Sequence, residues 1–296
     1  MQRIWMTGAT GVVGSEILRA FLAAGHEVTA LARSTSFVVP PSRTVTLDLT
    51  SAESIDMLDM TGIEVLVHNA AAILTSGNPE EEELLHQINV KATERLFARA
   101  AQFGVRKIIF TGSLSVLAKP LPTVVTESAE AHPMLSYSIS KWKGEQALYA
   151  TEGPSQRIVL RLSSPIGMYL KEMAPTVLKK WIMAAMNGHS VTIYGSGQRT
   201  QDFVDVRDVA SAFVLSAESE TANGVYHIGS GQPVSMSNLA AHIATLCSVS
   251  REFIGTDPLD AERWNVSIQR AKTELGYSPQ FAPLNAVTRL IETSRK

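Results

Sequence analysis

The sequence predicts an α/β protein with a doubly wound parallel sheet and a smaller mixed α/β lobe towards the C-terminus. Three observations predict this fold class. Short apolar runs alternate with amphipathic stretches in the first half of the chain, a glycine-rich turn follows the first apolar run, and the alternation breaks down after about Ser163. With 296 residues, the chain has room for one large domain or two coupled ones.

The apolar runs predict strands that are buried on both faces of a sheet. They are short and rich in Val, Ile or Leu, as is usual for parallel sheets covered by helices on both sides. The segments between them predict helices in right-handed crossovers, which place a ligand outside the carboxyl ends of the strands. The predicted strands are 3–7, 27–32, 44–49, 64–68, 107–111 and 157–162, and the predicted helices are 13–24, 51–58, 80–102 and 137–151.

Composition narrows the class of protein. With 26 basic and 28 acidic side chains the net charge is −2, which argues against a general binder of nucleic acid or anionic membranes. A single cysteine, Cys247, disfavours disulfides and a cysteine-rich zinc site, and we interpret the acidic run 80–83 as a solvated helix start, so we expect no metal. Charged residues interrupt every apolar run before membrane length, and the N-terminus lacks the pattern of a signal peptide. We therefore expect a soluble cytoplasmic protein.

A glycine-rich turn joins the first predicted strand to the first predicted helix. Gly8 allows a sharp turn, Gly11 lets a pyrophosphate approach the backbone, and Gly14 allows close packing of helix and strand. The first N–H groups of the helix would then face the phosphates. This strand–turn–helix context favours a Rossmann-type dinucleotide site over a tight turn without a ligand. Its candidate residues are Gly8, Thr10, Gly11, Val12, Val13 and Gly14.

The break in the strand–helix alternation after about Ser163 suggests a division of the chain into two parts. We expect residues 1–164 to form the dinucleotide-binding domain, and 165–202 with 227–296 to form a lobe that binds the substrate and closes over the sheet edge. Residues 203–226 read as a strand followed by a helix, and we expect them to return to the first domain.

The end of the second predicted strand bears on which dinucleotide binds. A carboxylate there would hold the ribose 2′-hydroxyl, but the sequence has Arg33 and Ser34. A guanidinium and a hydroxyl suit a 2′-phosphate, so NADP is favoured over NAD. Asp48, followed by Leu49, ends the third predicted strand and is a candidate partner for the adenine amino group. An Asx turn before the next helix is the alternative for Asp48.

Tyr137 and Lys141 lie four residues apart and therefore on one face of a predicted helix. A phenol beside an ammonium suits acid–base chemistry at a carbinol carbon, because a nearby cation helps the tyrosine to titrate closer to neutrality. Ser113, at the carboxyl end of the fifth predicted strand, could hydrogen-bond the same substrate oxygen. An exposed helix position with a snorkelling lysine is the structural alternative.

Together these motifs resemble the extended short-chain dehydrogenase/reductase family, which contains nucleotide-sugar epimerases and dehydratases. The resemblance covers nearly the whole chain. It implies a catalytic set of Ser113, Tyr137 and Lys141, with Tyr137 as the acid/base and Lys141 holding the nicotinamide ribose while lowering the tyrosine pKa. The motifs are the glycine turn 8–14, Asp48-Leu49, His68-Asn69-Ala70-Ala71, Asn89 with Thr93, Ser113, Tyr137 with Lys141, and the stretches 194–197, 202–206 and 225–231.

The resemblance also implies further contacts. His68 is interpreted as a packed residue at a strand end rather than a catalyst. Residues that would line the cofactor groove are Asn69, Ala70, Ala71, Ala72, Asn89 and Ser164, and the candidates for substrate contacts are Thr75, Ser115, Arg199, Gln201 and Arg263. The implied oligomer is a homodimer built from helices 80–102 and 137–151.

The chain departs from its relatives in informative places. Leu114-Ser115 replaces the Asp-Glu pair of the 4,6-dehydratases, which disfavours elimination of water. Gln201 stands where nucleotide-sugar members commonly have an arginine for the diphosphate. Either Arg199 and Arg263 have taken over that contact, or the substrate carries no nucleotide diphosphate.

Two functions remain open. The first is an NAD(P)-dependent reductase or epimerase that transfers hydride at a secondary alcohol or ketone carbon of a sugar-like substrate, which includes nucleotide sugars. The second is a non-catalytic NADP-binding redox sensor or partner-binding protein. The complete Ser-Tyr-Lys set favours the enzyme, since a sensor needs no aligned proton donor.

Overall fold

The computed structural model describes residues 1–33, 36–73, 78–117, 119, 121–169, 173 and 176–295. A π-helical turn, Gln87–Lys91, joins the helices Pro79–His86 and Ala92–Gln102. The strands are β1 (Arg3–Thr7), β2 (Glu27–Ala32), β3 (Arg43–Thr46), β4 (Val65–His68), β5 (Lys107–Ser113), β6 (Gln156–Leu162), β7 (Ser164–Ile166), β8 (Val191–Tyr194), β9 (Thr200–Asp205), β10 (Gly224–Ile228), β11 (Pro233–Ser235) and β12 (Arg251–Ile254). The helices are α1 (Val12–Ala23), α2 (Ala52–Asp56), α3 (Pro79–His86), α4 (Ala92–Gln102), α5 (Ser136–Ala150), α6 (Val177–Met186), α7 (Val206–Glu218), α8 (Met236–Cys247), α9 (Gln269–Leu275) and α10 (Pro283–Ser294).

A seven-stranded parallel sheet forms the centre of the first part of the chain. Its strand order is β10-β6-β5-β4-β1-β2-β3. Helices α1 and α7 pack on one face, where Ile17, Leu18 and Phe213 are buried. Helices α2, α4 and α5 pack on the other face, around Trp5 and Phe97. The sheet is therefore covered by helices on both sides, as its apolar strands predict, and has the Rossmann-type architecture expected from the sequence.

The second lobe has its own core and two small sheets. One has three strands in the order β11-β9-β7, and the other pairs β12 with β8 in parallel. Helices α6, α8 and α10 contribute Trp181, Leu239 and Leu290 to a separate buried cluster. The chain passes between the two parts more than once. Strands β7 to β9 precede β10 in the chain, yet β10 lies in the main sheet beside β6.

Several sequence-based boundaries need correction. Strand β3 ends at Thr46, not at residue 49, because Leu47 turns into the cluster under α2. The predicted helix 80–102 is interrupted by the π-helical turn. For the segment 203–226, helix α7 packs against the main sheet and strand β10 lies in it, as predicted. The strand at the start of this segment, β9, does not return to the main sheet, because it pairs with β7 and β11. The division into two domains otherwise stays a prediction.

The described residues contain neither a membrane-spanning helix nor a cluster of metal-binding side chains. No helix among them is long and apolar enough to cross a bilayer. Within the same part of the chain, no group of three or more His, Cys, Asp or Glu side chains is arranged to hold a metal ion.

Candidate active site

Four neighbouring strands end at one edge of the main sheet. Thr7 at the end of β1 is in register with His68 at the end of β4, and Ser113 at the end of β5 is in register with Leu162 of β6. The glycine turn, the loop after β4, Ser113 and Ser164 therefore follow at the same edge. This is the edge where a parallel α/β sheet binds ligands.

The glycine turn packs tightly against its surroundings on two sides and is open on the third. Gly8 has a φ of +72°, and a Cβ there would lie 2.6 Å from the backbone nitrogen of Ala70. A Cβ on Gly14 would lie 1.9 Å from the carbonyl oxygen of Gly8. A Cβ on Gly11 would meet only that same oxygen, at 3.5 Å. Only Gly11 therefore faces space, as a close approach by a pyrophosphate requires.

The N-terminus of α1 is available to an anion. Its N-cap is Gly11, and no side chain caps the first turn. Helices α2 and α7, in contrast, are capped by the side chains of Ser51 and Asp205. The uncapped N–H groups and the positive end of the helix dipole fit the phosphates of a dinucleotide. Thr10 is exposed, and Val12 and Val13 are half-buried.

Two asparagines fix the loop after β4. The side-chain amide of Asn69 donates to the carbonyl oxygen of Gly8 at 3.3 Å, and its oxygen accepts from the Thr111 hydroxyl at 3.0 Å. Asn89, in the π-helical turn, accepts from the backbone N–H of Ala72 at 2.7 Å and donates to its carbonyl oxygen at 3.0 Å. Both asparagines position the loop that contains Ala70, Ala71 and Ala72, which is half-buried.

His68 is buried and links β1 to α4 through hydrogen bonds. Its two ring nitrogens lie 2.8 Å from the Thr7 hydroxyl and 2.9 Å from the Thr93 hydroxyl. Burial, assisted by the charge of Lys141, lowers the pKa of His68 to about 3. A neutral histidine without exposed surface fits the predicted packed residue at a strand end.

Helix α5, which carries Tyr137 and Lys141, packs against β5. The helix approaches the strand closely at Gly144, where a Cβ would lie 2.5 Å from the ring of Phe110. One turn earlier, the Lys141 ammonium lies 4.3 Å from the centre of that ring, and the side chain is almost completely buried. Tyr137 is half-buried. The Ser113 hydroxyl lies 2.9 Å from that of the exposed Ser115 and accepts from the Ser115 N–H at 3.2 Å.

Burial determines the protonation of both groups on α5. It raises the pKa of Tyr137 to about 12 and lowers the pKa of Lys141 to about 8. The direction for Tyr137 is opposite to the lowering implied by the family resemblance, because burial removes the phenolate from water. Near neutral pH the phenol is therefore protonated.

The candidates for cofactor selectivity lie at the ends of β2 and β3. Arg33 is exposed directly after β2, and Ser34 lies outside the described residues. Asp48 accepts from the backbone N–H and the hydroxyl of Thr50, at 2.9 and 2.8 Å, which is the Asx turn considered as its alternative role. These hydrogen bonds, followed by the charge of Arg33, hold the pKa of Asp48 below its usual range. Leu49 is half-buried.

The candidates for substrate contacts meet where β7 and β9 pair, and most are already engaged. Gln201 donates to the Ser164 hydroxyl at 2.7 Å. Arg199 lies 3.3 Å from a carboxylate oxygen of Asp257. Arg263 donates to the carbonyl oxygens of Asp260 and Glu262 at 2.8 and 3.0 Å, and its backbone bridges to Thr200. The structure thus brings Arg199, Gln201, Arg263 and Ser164 into one region, and Thr75 lies outside the described residues.

The sequence analysis missed a buried ion pair beside this site. Glu145 of α5 and Arg161 of β6 form hydrogen bonds of 2.7 to 3.1 Å, and both are almost completely buried. The signal was present in the sequence: Arg161 interrupts an apolar strand, and Glu145 follows Lys141 by one helical turn. A charge inside a predicted buried strand indicates a partner, since an isolated buried charge is costly.

Comparison with known proteins identifies the family. The model of the NAD dependent epimerase/dehydratase family matches residues 4–229. A putative UDP-glucose 4-epimerase from Methanocaldococcus jannaschii is 26% identical, with 97% of each chain covered. A dTDP-6-deoxy-L-talose 4-dehydrogenase (NAD(P)(+)) from Kitasatospora kifunensis is 29% identical over 97% of this chain and 94% of its own.

Solved structures give the same result. MoeE5 in complex with UDP-glucose and NAD is 25% identical, with a TM-score of 0.81 over 99% of this chain and 98% of that one. A UDP-glucose 4-epimerase from Thermotoga maritima shares the fold with a TM-score of 0.84 at 22% identity and 98% coverage of both chains. The chain therefore belongs to the NAD dependent epimerase/dehydratase family, among the extended short-chain dehydrogenases/reductases, and is a nicotinamide-dependent enzyme of that type.

Proposed function

We propose that this protein transfers hydride at a secondary alcohol or ketone carbon of a sugar-like substrate, with Tyr137 as the acid/base. One observation carries this proposal. Helix α5, which packs against β5, carries a phenol and a buried ammonium one turn apart, and Ser113 ends β5 at the sheet edge that also carries the glycine turn. The bound nicotinamide would supply or accept the hydride.

The protein's own groups would handle the proton and the substrate oxygen. In the reductive direction, the Tyr137 hydroxyl donates its proton to the oxygen of the carbonyl as this becomes an alkoxide. Ser113 orients and polarises that oxygen, and Lys141 contributes positive charge from a site with little water. The Tyr137 phenol, whose pKa burial raises to about 12, carries near neutral pH the proton that this step requires.

NADP is the cofactor that we propose. Arg33 is exposed directly after β2, where a guanidinium suits a 2′-phosphate. The sequence has no carboxylate at the end of β2 that would instead hold a ribose 2′-hydroxyl. Asp48 uses one carboxylate oxygen for its turn with Thr50. The relative from Kitasatospora kifunensis is named for both NAD and NADP, whereas MoeE5 was solved with NAD.

The proposed substrate contacts are Ser115, beside the end of β5, and Arg199, Gln201 and Arg263 in the second lobe. A nucleotide diphosphate is compatible with this set only if the arginines exchange their present partners for the phosphates. Arg199 would have to leave Asp257, and Arg263 would have to leave two backbone carbonyl oxygens. An uncharged amide at Gln201 contributes less than a guanidinium to such a contact. Both nucleotide sugars and smaller sugar-like ketones therefore belong in the substrate panel.

The test is Tyr137→Phe, assayed with NADPH and NADH on that panel. We expect the variant to fold and to bind the dinucleotide but to lose turnover by several orders of magnitude, because its proton donor is gone. Tyr149→Phe, the same change on the same helix at a half-exposed tyrosine, is the matched control and should retain activity. Wild-type turnover in Tyr137→Phe would exclude the mechanism.

The same assay addresses the alternative. Tight binding of NADPH by the wild-type protein without hydride exchange on any carbonyl would support a redox sensor. We also propose a homodimer through α4 and α5, supported by the exposed apolar side chains of Ile139 and Tyr149 on α5. Light scattering on the purified protein measures the oligomeric state.

A further inference from the structure

Charged and polar side chains form a row along one face of α5. Tyr137, Lys141 and Glu145 follow one another at four-residue intervals. Glu145 has no exposed surface, and Arg161, its partner on β6, is 3% exposed. The nitrogen Nε of Arg161 donates to both carboxylate oxygens at 3.1 Å, and Nη2 donates to one of them at 2.7 Å. The row therefore ends in a fixed, fully buried carboxylate.

The ion pair is tightly packed by its neighbours on β5 and α5. A Cβ on Gly112, in register with Arg161, would lie 2.7 Å from the Val159 side chain, 3.0 Å from a Glu145 oxygen and 3.1 Å from the Arg161 side chain. The Arg161 guanidinium also lies 5.7 Å from the centre of the Trp142 ring. A buried ion pair contributes little net stability, since apolar residues of similar volume often serve as well or better. Its place beside Lys141 therefore points to a role in the site.

We propose that Glu145, held in place by Arg161, is a positioning residue that keeps the buried Lys141 amine protonated beside Tyr137. The inference rests on the proposed function for the importance of Lys141. The electrostatic effect itself, a carboxylate that stabilises a buried ammonium, does not depend on any enzymatic activity.

The surroundings of Lys141 explain why it needs an anion. Burial lowers the pKa of Lys141, and the carboxylate of Glu145 opposes that effect. From β5 the amine faces the Phe110 ring, and from β4 it faces His68, which is neutral. Behind Glu145 lie Arg161 and, on β10, the buried His227, whose pKa burial and the charge of Arg161 lower to about 3. Among these groups Glu145 supplies the negative charge.

The sign of the effect separates this role from packing. Glu145→Gln and Arg161→Met both break the ion pair, so a structural role would make them behave alike. In our proposal, Glu145→Gln removes the anion and leaves Arg161 as an unpaired cation, which lowers the pKa of Lys141. Arg161→Met leaves the carboxylate free to interact with Lys141 and raises that pKa.

The experiment is an NMR titration of the lysine 13Cε resonances in the protein without added dinucleotide, with the Lys141 signal assigned by its loss in Lys141→Met. Glu145→Gln should lower the pKa of Lys141 by at least about one pH unit, a roughly tenfold change in its protonation ratio. Glu145→Asp, which keeps the charge, should restore most of it. Glu274→Gln, which breaks the exposed pair with Arg270, should leave Lys141 unchanged.

Because an unpaired buried charge can prevent folding, Glu145→Gln/Arg161→Met is the second variant, with both charges removed. It too should lower the pKa of Lys141. An unchanged value in this variant, or shifts of the same sign in Glu145→Gln and Arg161→Met, would overturn the proposal. The titration requires no turnover, so a wild-type protein without enzymatic activity would refute the proposed function and leave this result standing.

Discussion

Gly14 touches Gly8 so closely that a Cβ on Gly14 would lie 1.9 Å from the carbonyl oxygen of Gly8. The two glycines of the turn that separates β1 from α1 are thus in direct contact, and the third, Gly11, faces space. Substitution should therefore separate a packing role from a binding role within one turn. Gly14→Ala must displace α1, and such overpacking costs about 1–3 kcal/mol.

For Gly11→Ala we expect wild-type thermal stability and a loss of dinucleotide affinity of at least about tenfold, because the new methyl group occupies the approach of the phosphates. For Gly14→Ala we expect losses of both stability and affinity. Calorimetric titration with NADP and thermal unfolding measure the two quantities. Wild-type affinity in Gly11→Ala would mean that no pyrophosphate lies against this turn.

Cofactor preference should depend on Arg33. Arg33→Asp replaces a guanidinium by a carboxylate that repels a 2′-phosphate and accepts from a 2′-hydroxyl, so selectivity should shift from NADP towards NAD. The ratio of kcat/KM for the two cofactors is the measurement. Arg43→Asp makes the same charge change at the start of the neighbouring strand β3, away from the carboxyl ends of the strands, and serves as the control. If the ratio does not respond to Arg33→Asp, Arg33 points away from the ribose.

The contact between α5 and β5 should control activity through geometry. A methyl group in Gly144→Ala would lie 2.5 Å from the Phe110 ring and would push Tyr137 and Lys141 away from the strand end. We expect kcat to fall by about tenfold or more, since small misplacements of catalytic groups are costly. Lys143→Ala, at an exposed neighbouring position, should keep its kcat. An unchanged kcat in Gly144→Ala would show that α5 tolerates the shift.

Acid should destabilise the protein before its carboxylates titrate. Burial lowers the pKa of His68 and of His227 from 6.5 to about 3. As the pH falls below 6.5 the unfolded chain takes up protons that the folded chain does not, so each histidine lowers the free energy of unfolding by up to about 1.4 kcal/mol per pH unit. Urea unfolding between about pH 6.5 and 5 measures this slope.

His68→Gln, whose amide can bridge the same two hydroxyls, should show a shallower slope than the wild type. His132→Gln, at an exposed histidine, should not. Equal slopes in the wild type and in His68→Gln would mean that His68 is protonated in the folded protein.

The sequence predicts β1 and β2 with their observed limits, because an apolar run between a polar start and a glycine or arginine end corresponds to one buried strand. It overextends β3, since Leu47 and Leu49 belong to the core under α2 rather than to the sheet. Periodicity alone does not distinguish apolar residues in a strand from apolar residues that follow it.

Tertiary effects explain what was missed in the site. The amphipathic pattern runs through residues 87–91 without a break, so the π-helical turn that presents Asn89 to Ala72 leaves no trace in the periodicity. Spacing predicts that Tyr137 and Lys141 share a face, but their pKa values depend on burial, which arises from contacts between distant segments. The Glu145–Arg161 pair likewise depends on the register between α5 and β6.

The position of β10 constrains how this enzyme can exchange parts with its relatives. Strands β7, β8 and β9 and helix α6 come before β10 in the chain. The last strand of the main sheet, β10, then pairs with β6. A chimera joined once near residue 164 would combine six strands from one parent with the seventh from another, and would also pair α1 with a foreign α7. Recombination that exchanges the second lobe must therefore keep residues 206–228 together with the first half of the chain.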